Sequence, residues 1–257
     1  MATLVLGLFV VSLSIVLAWF GLRTVRRLVP INVLQSQHEV AGFMIGVLGV
    51  IYAVLLAFVV VALWNQYQDA RGVVEREANQ LADLAHITRG LPDHDGRHRL
   101  SGMISAYARS AIEDEWPAMA HGRASLRTGS ALDQLWRAFL EIDPQTNRES
   151  ALYDRALNIL SDLSDSRRLL LFSSRKDLPL VIQFLLWGGG LITIAFTYFF
   201  GLKNIRAQSL MTAGLTGLIA FNLFLILVLD KPFHGYLRIS LEPLRETLQR
   251  IQAIESS

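Results

Sequence analysis

The chain has no cysteine in its 257 residues, which excludes disulfides, thiolate metal sites and cysteine nucleophiles together. Charge is missing from four stretches, residues 4–22, 42–63, 178–200 and 210–229, none of which holds an Asp, Glu, Lys or Arg. With no ionisable group inside them, these stretches offer no proton relay and no ion-coupled carrier site of the usual charged kind. Catalytic signatures are lacking as well: there is no Walker loop, Rossmann glycine pattern, nucleophile elbow or zincin motif. Without a nucleophile–base constellation, the chain does not read as an enzyme and requires no cofactor. Strand-like alternation, internal repeats and low-complexity tracts are absent too.

What is present is apolar and helical. Hydrophobic residues make up 52% of the chain, and the four uncharged stretches are each long enough to cross a hydrocarbon core of about 30 Å as a helix. The first is an anchor and not a secretory signal, because no positive charge precedes it, Arg23, Arg26 and Arg27 follow it, and no small-residue cleavage site is evident. The expected fold class is all-α: a multi-pass membrane protein with four transmembrane helices and a helical-bundle extramembrane domain between the second and third. The expected division is 1–63 (helices 1 and 2), 64–177 (the extramembrane domain, continuous with helix 2), 178–229 (helices 3 and 4) and 230–257 (a turn and an amphipathic helix).

The net charge of +2 conceals an arrangement. Residues 23–40 carry three Arg and one Glu, and residues 201–208 carry Lys203 and Arg206 with no acid. Residues 64–177 hold 15 basic and 17 acidic side chains and are nearly neutral. This is a topology signal and not a nucleic-acid footprint. Four spans put both termini and the large domain on one side. The basic loops then belong in the cytoplasm, with the domain and termini outside, periplasmic in an inner membrane of a Gram-negative cell. Arg167, Arg168, Arg175 and Lys176, close to the third span, pull the other way.

Within residues 64–177 helices follow from periodicity. Tyr67, Val74 and Leu81 recur every seven residues, with Ala78 and Ala85 in a second row, a narrow coiled-coil-type seam. Gly90 is placed for a left-handed cap and Pro92 for a stop. A second helix is expected over about residues 96–115, with Leu100, Met103, Ile104 and Tyr107 on one side, ending at "EWP". Capping boxes at Ser130–Asp133 and Thr146–Glu149 open two more, carrying Leu132, Leu135, Trp136 and Phe139, then Leu152, Ala156, Ile159, Leu160 and Leu163. The expectation is a four-helix bundle. Pro179 suits the start of the third span. Near the C-terminus, "LDKPFHG" reads as a compact turn. Ser240 then caps a helix bearing Leu244, Leu248 and Ile251. His94 and His98 beside Asp93 and Asp95 allow a metal site to be drawn, but the segment reads as a solvated turn, and no metal is expected. "EDEW" at residues 113–116 reads as an acidic surface feature.

The stretch "AFVVVALWNQYQDARG" passes from apolar to charged chain with no proline or loop-forming cluster between. Helix 2 therefore runs unbroken into the domain. Its membranous part has two distinctive faces. One is a row of small residues, Gly42, Gly46, Gly49, Ala53 and Ala57, suited to close helix packing. The other carries Tyr52, Leu55, Leu56, Val59 and Val60, bulky enough for a hydrophobic constriction and equally compatible with packing. Asn222 is the one strongly polar residue deep in the fourth span; it either lines a pathway or bonds between helices. "WGGG" at residues 187–190 marks a close-packing or flexible spot.

The segments "YAVLLAF", "LWNQYQDARGVVEREANQLADL", "EWPAM" and "LDKPFHG" together resemble the bacterial bestrophin-like membrane proteins. Glu115, Trp116, Pro117, Asp230, Pro232, Phe233 and Gly235 are the residues of the two later motifs. The more distant resemblance is to bestrophins, oligomeric anion channels whose second helix lines the pore with a hydrophobic neck. By position, that implies Tyr52, Leu55, Leu56 and Val59 as the neck, and a Leu56→Ala change that widens it. It also implies a homo-oligomer in a lipid bilayer passing inorganic ions, chloride favoured. Two departures stand out. Calcium-gated bestrophins follow the Pro-Phe-Gly turn with an acidic run, whereas this chain continues "YLRIS", so no calcium clasp is implied. Bestrophins also keep the large domain in the cytoplasm, against the charge-based topology. The rival function is a non-conducting sensor or scaffold whose bundle relays a signal through helix 2.

Overall fold

The computed structural model describes residues 2–36, 38–90, 94–202, 204–235 and 237–255. Among them the regular elements are all helices. In chain order these are α1 (Ala2–Leu28), α2 (Ile31–Ser36), α3 (His38–Thr88), α4 (His94–Ser110), a π-turn (Ala111–Glu115), α5 (Trp116–Met119), α6 (Leu126–Leu140), α7 (Asn147–Arg175), α8 (Leu180–Tyr198), α9 (Ile205–Leu229) and α10 (Glu242–Glu255). Among the described residues, α1, α3, α8 and α9 are the helices long and apolar enough to cross a membrane. The chain forms two compact units. One comprises Met1–Asn65, Asp177–Asp230 and Gly235–Leu237; the other Gln66–Lys176, Lys231–His234 and Arg238–Ser257.

The first unit is built from α1, the first part of α3, α8 and α9. Its core joins Tyr52, Leu56, Val59 and Leu63 of α3 to Leu186 of α8 and to Ile219, Leu223, Ile226 and Leu229 of α9. Lipid tails are as apolar as these side chains, so helices here gain from close contact and not from escaping water. Glycines supply that contact. A Cβ on Gly7 would lie 2.6 Å from the Phe224 ring, and one on Gly21 would lie 2.7 Å from the Tyr198 hydroxyl. In the "WGGG" triplet, Gly189 lies under the Tyr52 ring, where a Cβ would approach to 2.6 Å, and Gly190 faces the Tyr52 hydroxyl at 2.9 Å. The triplet is thus a close-packing site. At one end of the unit, Arg26 donates to Gln208 Oε1 and to the Leu202 carbonyl. Gln208 is buried and returns its amide to the Thr197 carbonyl at 3.1 Å, so the last turn of α8 is tied to both α1 and α9.

The second unit is a bundle of α4, α6, α7, α10 and the last part of α3. The α3 seam is buried at Val74, Ala78, Leu81 and Ala85, with Tyr67 partly buried, and widens to include Ala70, Val73, Glu77 and Leu84. A helix surrounded by neighbours buries more than a two-row seam. α10 is the fifth member: Leu244 and Ile251 are buried, Leu248 packs against the same core, and Ser240 accepts from the Glu242 N–H. Five helices replace the four expected.

Three local readings change. Gly90 does not have positive φ; its N–H bonds to the Ile87 carbonyl, and a Cβ there would meet Leu152 Cδ1 at 2.9 Å, so the position demands space and not handedness. The helix entering "EWP" does not end there. Pro117 has no N–H for the Glu113 carbonyl and its ring would crowd that turn, and the ladder widens into a π-turn in which Trp116 N–H reaches the Ala111 carbonyl before α5 continues to Met119. α6 opens at Ser125, whose hydroxyl accepts from Thr128 N–H, which leaves Ser130 inside the helix. The Thr146 cap is as expected: its hydroxyl accepts from Glu149 N–H. Pro92 and Asp93, and the side chains of His94 and Asp95, lie outside the described residues.

The glycine triplet gives an internal control. Gly188 has nothing within 4 Å of a built Cβ, whereas Gly189 has the Tyr52 ring. Gly189→Ala is expected to destabilise the folded protein by about 1–3 kcal/mol, the usual cost of overpacking. Gly188→Ala is neutral or slightly stabilising through helix propensity. Thermal unfolding of the two purified variants in detergent checks this.

Candidate functional site

α3 is 51 residues long, about 76 Å at 1.5 Å per residue. Its buried positions form one stripe that does not break where the side chains change from apolar to polar: Tyr52, Leu56, Val59, Leu63, Ala70, Val74, Glu77, Leu81 and Thr88. Steps of three, four and seven keep these on one side of a helix. The opposite side is open. Val50 is 66% exposed, Val54 49%, Phe58 71% and Val61 57%, and the row continues through exposed Asn65 and Gln68.

Burial distinguishes the two faces. Tyr52 (6%), Leu56 (8%) and Val59 (8%) are enclosed by α8 and α9, and Leu55 packs against the same cluster. Tyr52 Oη also donates to the Leu186 carbonyl at 2.8 Å. Within the subunit the small-residue row is open: Gly46, Ala53 and Ala57 are exposed, and among the described residues nothing lies within 4 Å of a Cβ on Gly46 or Gly49. Gly42 meets only Phe200, at 3.8 Å. Asn222 is half-buried on α9 and donates to the Leu218 carbonyl of its own helix at 2.9 Å, bridging no second helix through that bond.

The motif residues gather elsewhere. In the second unit, Trp116 and Phe233 are both buried and their rings meet edge-on at 5.4 Å. Phe233 is held by the turn expected from "LDKPFHG": His234 N–H bonds to the Lys231 carbonyl, Gly235 takes φ +82°, and Ile239 N–H returns to the Pro232 carbonyl. Asp230, at the end of α9, is buried and accepts from Leu178 N–H at 3.1 Å, joining that helix to the entrance of α8. Pro117 imposes the π-turn already described.

Glu115 overturns the reading of "EDEW" as a surface feature. It is 3% exposed and takes the Arg167 guanidinium on both oxygens, at 3.2 and 3.0 Å. Arg167 also donates to the Ser125 carbonyl, and Ser125 N–H reaches back to Glu115. Beside this pair Tyr107 Oη donates to Glu77 Oε1 at 2.7 Å, both residues fully buried. Burial pushes the Glu77 carboxyl up to about 7; the Tyr107 bond opposes, while Glu115 raises it and Arg167 lowers it. Burial, and then the Glu77 charge, also push Tyr107 well above its ordinary value. Sequence reasoning missed this network. One signal was present: Glu77 lies three residues after Val74 and four before Leu81, inside an apolar seam. Among the described residues no group of three or more His, Asp or Glu could hold a metal ion.

The sign of the Glu77 effect is fixed by the direction of its shift. A carboxyl raised from 4.5 to about 7 by folding favours the protonated form in the fold. Its stabilising contribution is fully present below about pH 4.5 and is lost as pH rises through about 7. Glu77→Gln, neutral at every pH, is expected to flatten the pH dependence of thermal stability between 5 and 8, and to be the more stable protein at pH 8. Arg167→Ala leaves Glu115 buried and unpaired and should cost about 3–5 kcal/mol, measured by denaturation at pH 7.

Among curated proteins no relative matches the chain. Among solved structures it is similar to a bacterial bestrophin homologue from Klebsiella pneumoniae. One point variant of that protein matches with TM-score 0.73 at 14% identity over 95% of this chain and 99% of the other. A second matches with TM-score 0.74 at 14% identity over 98% and 99%. A further structure of the homologue gives 0.72 at 14% identity over 97% and 98%. The bestrophin-like domain, as a family, matches residues 10–244. The chain that places Trp116 on Phe233 and runs a single helix from His38 to Thr88 belongs to the bestrophin-like family.

Proposed function

We propose that the protein is an oligomeric ion channel of the inner membrane, anion-conducting, whose pore is lined by the exposed face of α3. One observation carries this reading. In the middle of a membrane-spanning helix, a row of large apolar side chains, Val50, Val54, Phe58 and Val61, is left uncovered by the protein's own helices. Four spans in a single subunit leave little room for a water path, so conduction requires a symmetric homo-oligomer with one such helix per subunit around the axis. The row then forms a hydrophobic neck that gates by dewetting. Polarity along the helix supports this: Asn65 and Gln68 continue the same row where it becomes wettable. The neighbouring row of Gly46, Ala53 and Ala57, equally uncovered, is suited to close contact with the next subunit. Preference for anions, chloride first, comes from the bestrophin resemblance, and the placement of the domain outside the cell from the charge of the loops.

The test is single-channel recording of the purified protein in planar bilayers under a potassium chloride gradient. Currents reversing near the chloride potential are expected, and reversal near the potassium potential would keep the channel and reject the anion. Phe58→Ala is expected to raise unitary current severalfold by removing the bulkiest side chain of the neck. Leu56→Ala, which lies inside the subunit, should leave unitary current unchanged and lower stability by about 2–5 kcal/mol. Silence from folded, inserted protein would instead favour a non-conducting relay.

A further inference from the structure

Between α1 and α9, within the membrane-spanning unit, lies an open groove of about 690 Å³. Its walls are apolar and exposed, with Val16 and Phe20 on α1 and Ile205 and Leu210 on α9. Arg23 and Arg206 also line it, and among the described residues no carboxylate does. Two of the three Arg that follow the first span differ in their use. Arg26 is consumed inside the unit by Gln208 and the Leu202 carbonyl. Arg23 instead sits over the Trp19 ring, its Cζ 4.4 Å from the centroid, a cation–π contact that holds it at the groove. Arg206, in the first turn of α9, is exposed.

We propose that this groove binds an anionic phospholipid, with the headgroup phosphate between Arg23 and Arg206 and an acyl chain against Phe20, Ile205 and Leu210. Guanidinium groups match phosphate oxygens in geometry as well as charge, and basic pockets between transmembrane helices are suited to anionic headgroups. The apolar walls distinguish a lipid from free phosphate, which would have no use for them. A second copy of the chain is a poor occupant. It would have to answer these guanidinium groups with acid from the same side, where the loops 23–40 and 201–208 carry one Glu against four Arg and one Lys. The inference needs only a protein that resides in the bilayer; it is independent of conduction.

The test compares the wild-type protein, the double variant Arg23→Gln/Arg206→Gln, and Arg27→Gln as a charge control. Both groove arginines are exposed, so the double variant should fold, and its melting temperature without lipid verifies that. Detergent-solubilised protein is titrated with phosphatidylglycerol or with phosphatidylcholine of the same chains, and retained lipid is counted by native mass spectrometry. The wild type and Arg27→Gln are expected to retain phosphatidylglycerol about tenfold or more over phosphatidylcholine, and the double variant to lose that preference. Equal retention of the two lipids by the wild type would overturn the proposal, as would an undiminished preference in the double variant. Competition by inorganic phosphate at the same concentration as the lipid would reassign the groove to free phosphate. A change of subunit number in the double variant without any change in lipid retention would reassign it to a subunit contact.

Discussion

A helix in hydrocarbon must satisfy its backbone polar groups with its own hydrogen-bond ladder, because lipid offers no partners. α3 obeys that constraint over its membrane span and then simply continues it. Nothing in the backbone has to change when the chain leaves the membrane, and the buried stripe continues, widening to take in Val73, Ala78, Leu84 and Ala85 and admitting Glu77 and Thr88. Tyr52 to Thr88 keep to one side of the helix throughout. The outward residues change in character, from Val54 and Phe58 to Asn65, Gln68 and Asp69. This is why "AFVVVALWNQYQDARG" needs no stop signal: the segment is two surfaces on one unbroken ladder.

The packing on either side of the junction follows different rules for the same helix. In the membrane unit the driving force is close approach, so glycines opposite aromatics do the positioning: Gly7 to Phe224, Gly21 to Tyr198, Gly189 to Tyr52. In the bundle the driving force is removal of apolar surface from water, and Leu81, Leu84, Ile104, Leu135, Phe139, Leu160 and Leu163 are buried together. Against that core a buried carboxyl is costly unless it is paired or neutral. Glu115 meets the demand with Arg167, and Glu77 with Tyr107 and an elevated affinity for a proton. The two solutions lie side by side, so the charge of one network member is felt by the others.

Much of this was legible in the sequence, for physical reasons. Uncharged runs of about 20 residues can do little except span, and they located all four membrane helices. The seven-residue spacing of Tyr67, Val74 and Leu81 located the seam, and Thr146 located a helix start to the residue. What was not legible was the sense of a face. Periodicity says that Tyr52, Leu56 and Val59 share a side, and that Gly46, Ala53 and Ala57 share another, but not which side meets a neighbour. That depended on the glycines of α8, distant in sequence. The same limit hid the partner of Glu115, because an acidic cluster at a helix end looks solvated until Arg167 is brought to it. Pro117 misled in the same way, since a proline can end a helix or widen it, and local sequence does not decide.

If α3 lines the pore, its side bearing Val50, Val54 and Phe58 faces water in the assembled protein, and its side bearing Tyr52, Leu56 and Val59 does not. A chain without cysteine is ready for the direct measurement: single cysteines at each of these six positions, reconstituted in liposomes, and the rate of reaction with a small charged thiol reagent. Fast modification is expected at positions 50, 54 and 58, with altered current on modification, and slow modification at 52, 56 and 59. The reverse pattern, or six equally slow positions in folded protein, would contradict it.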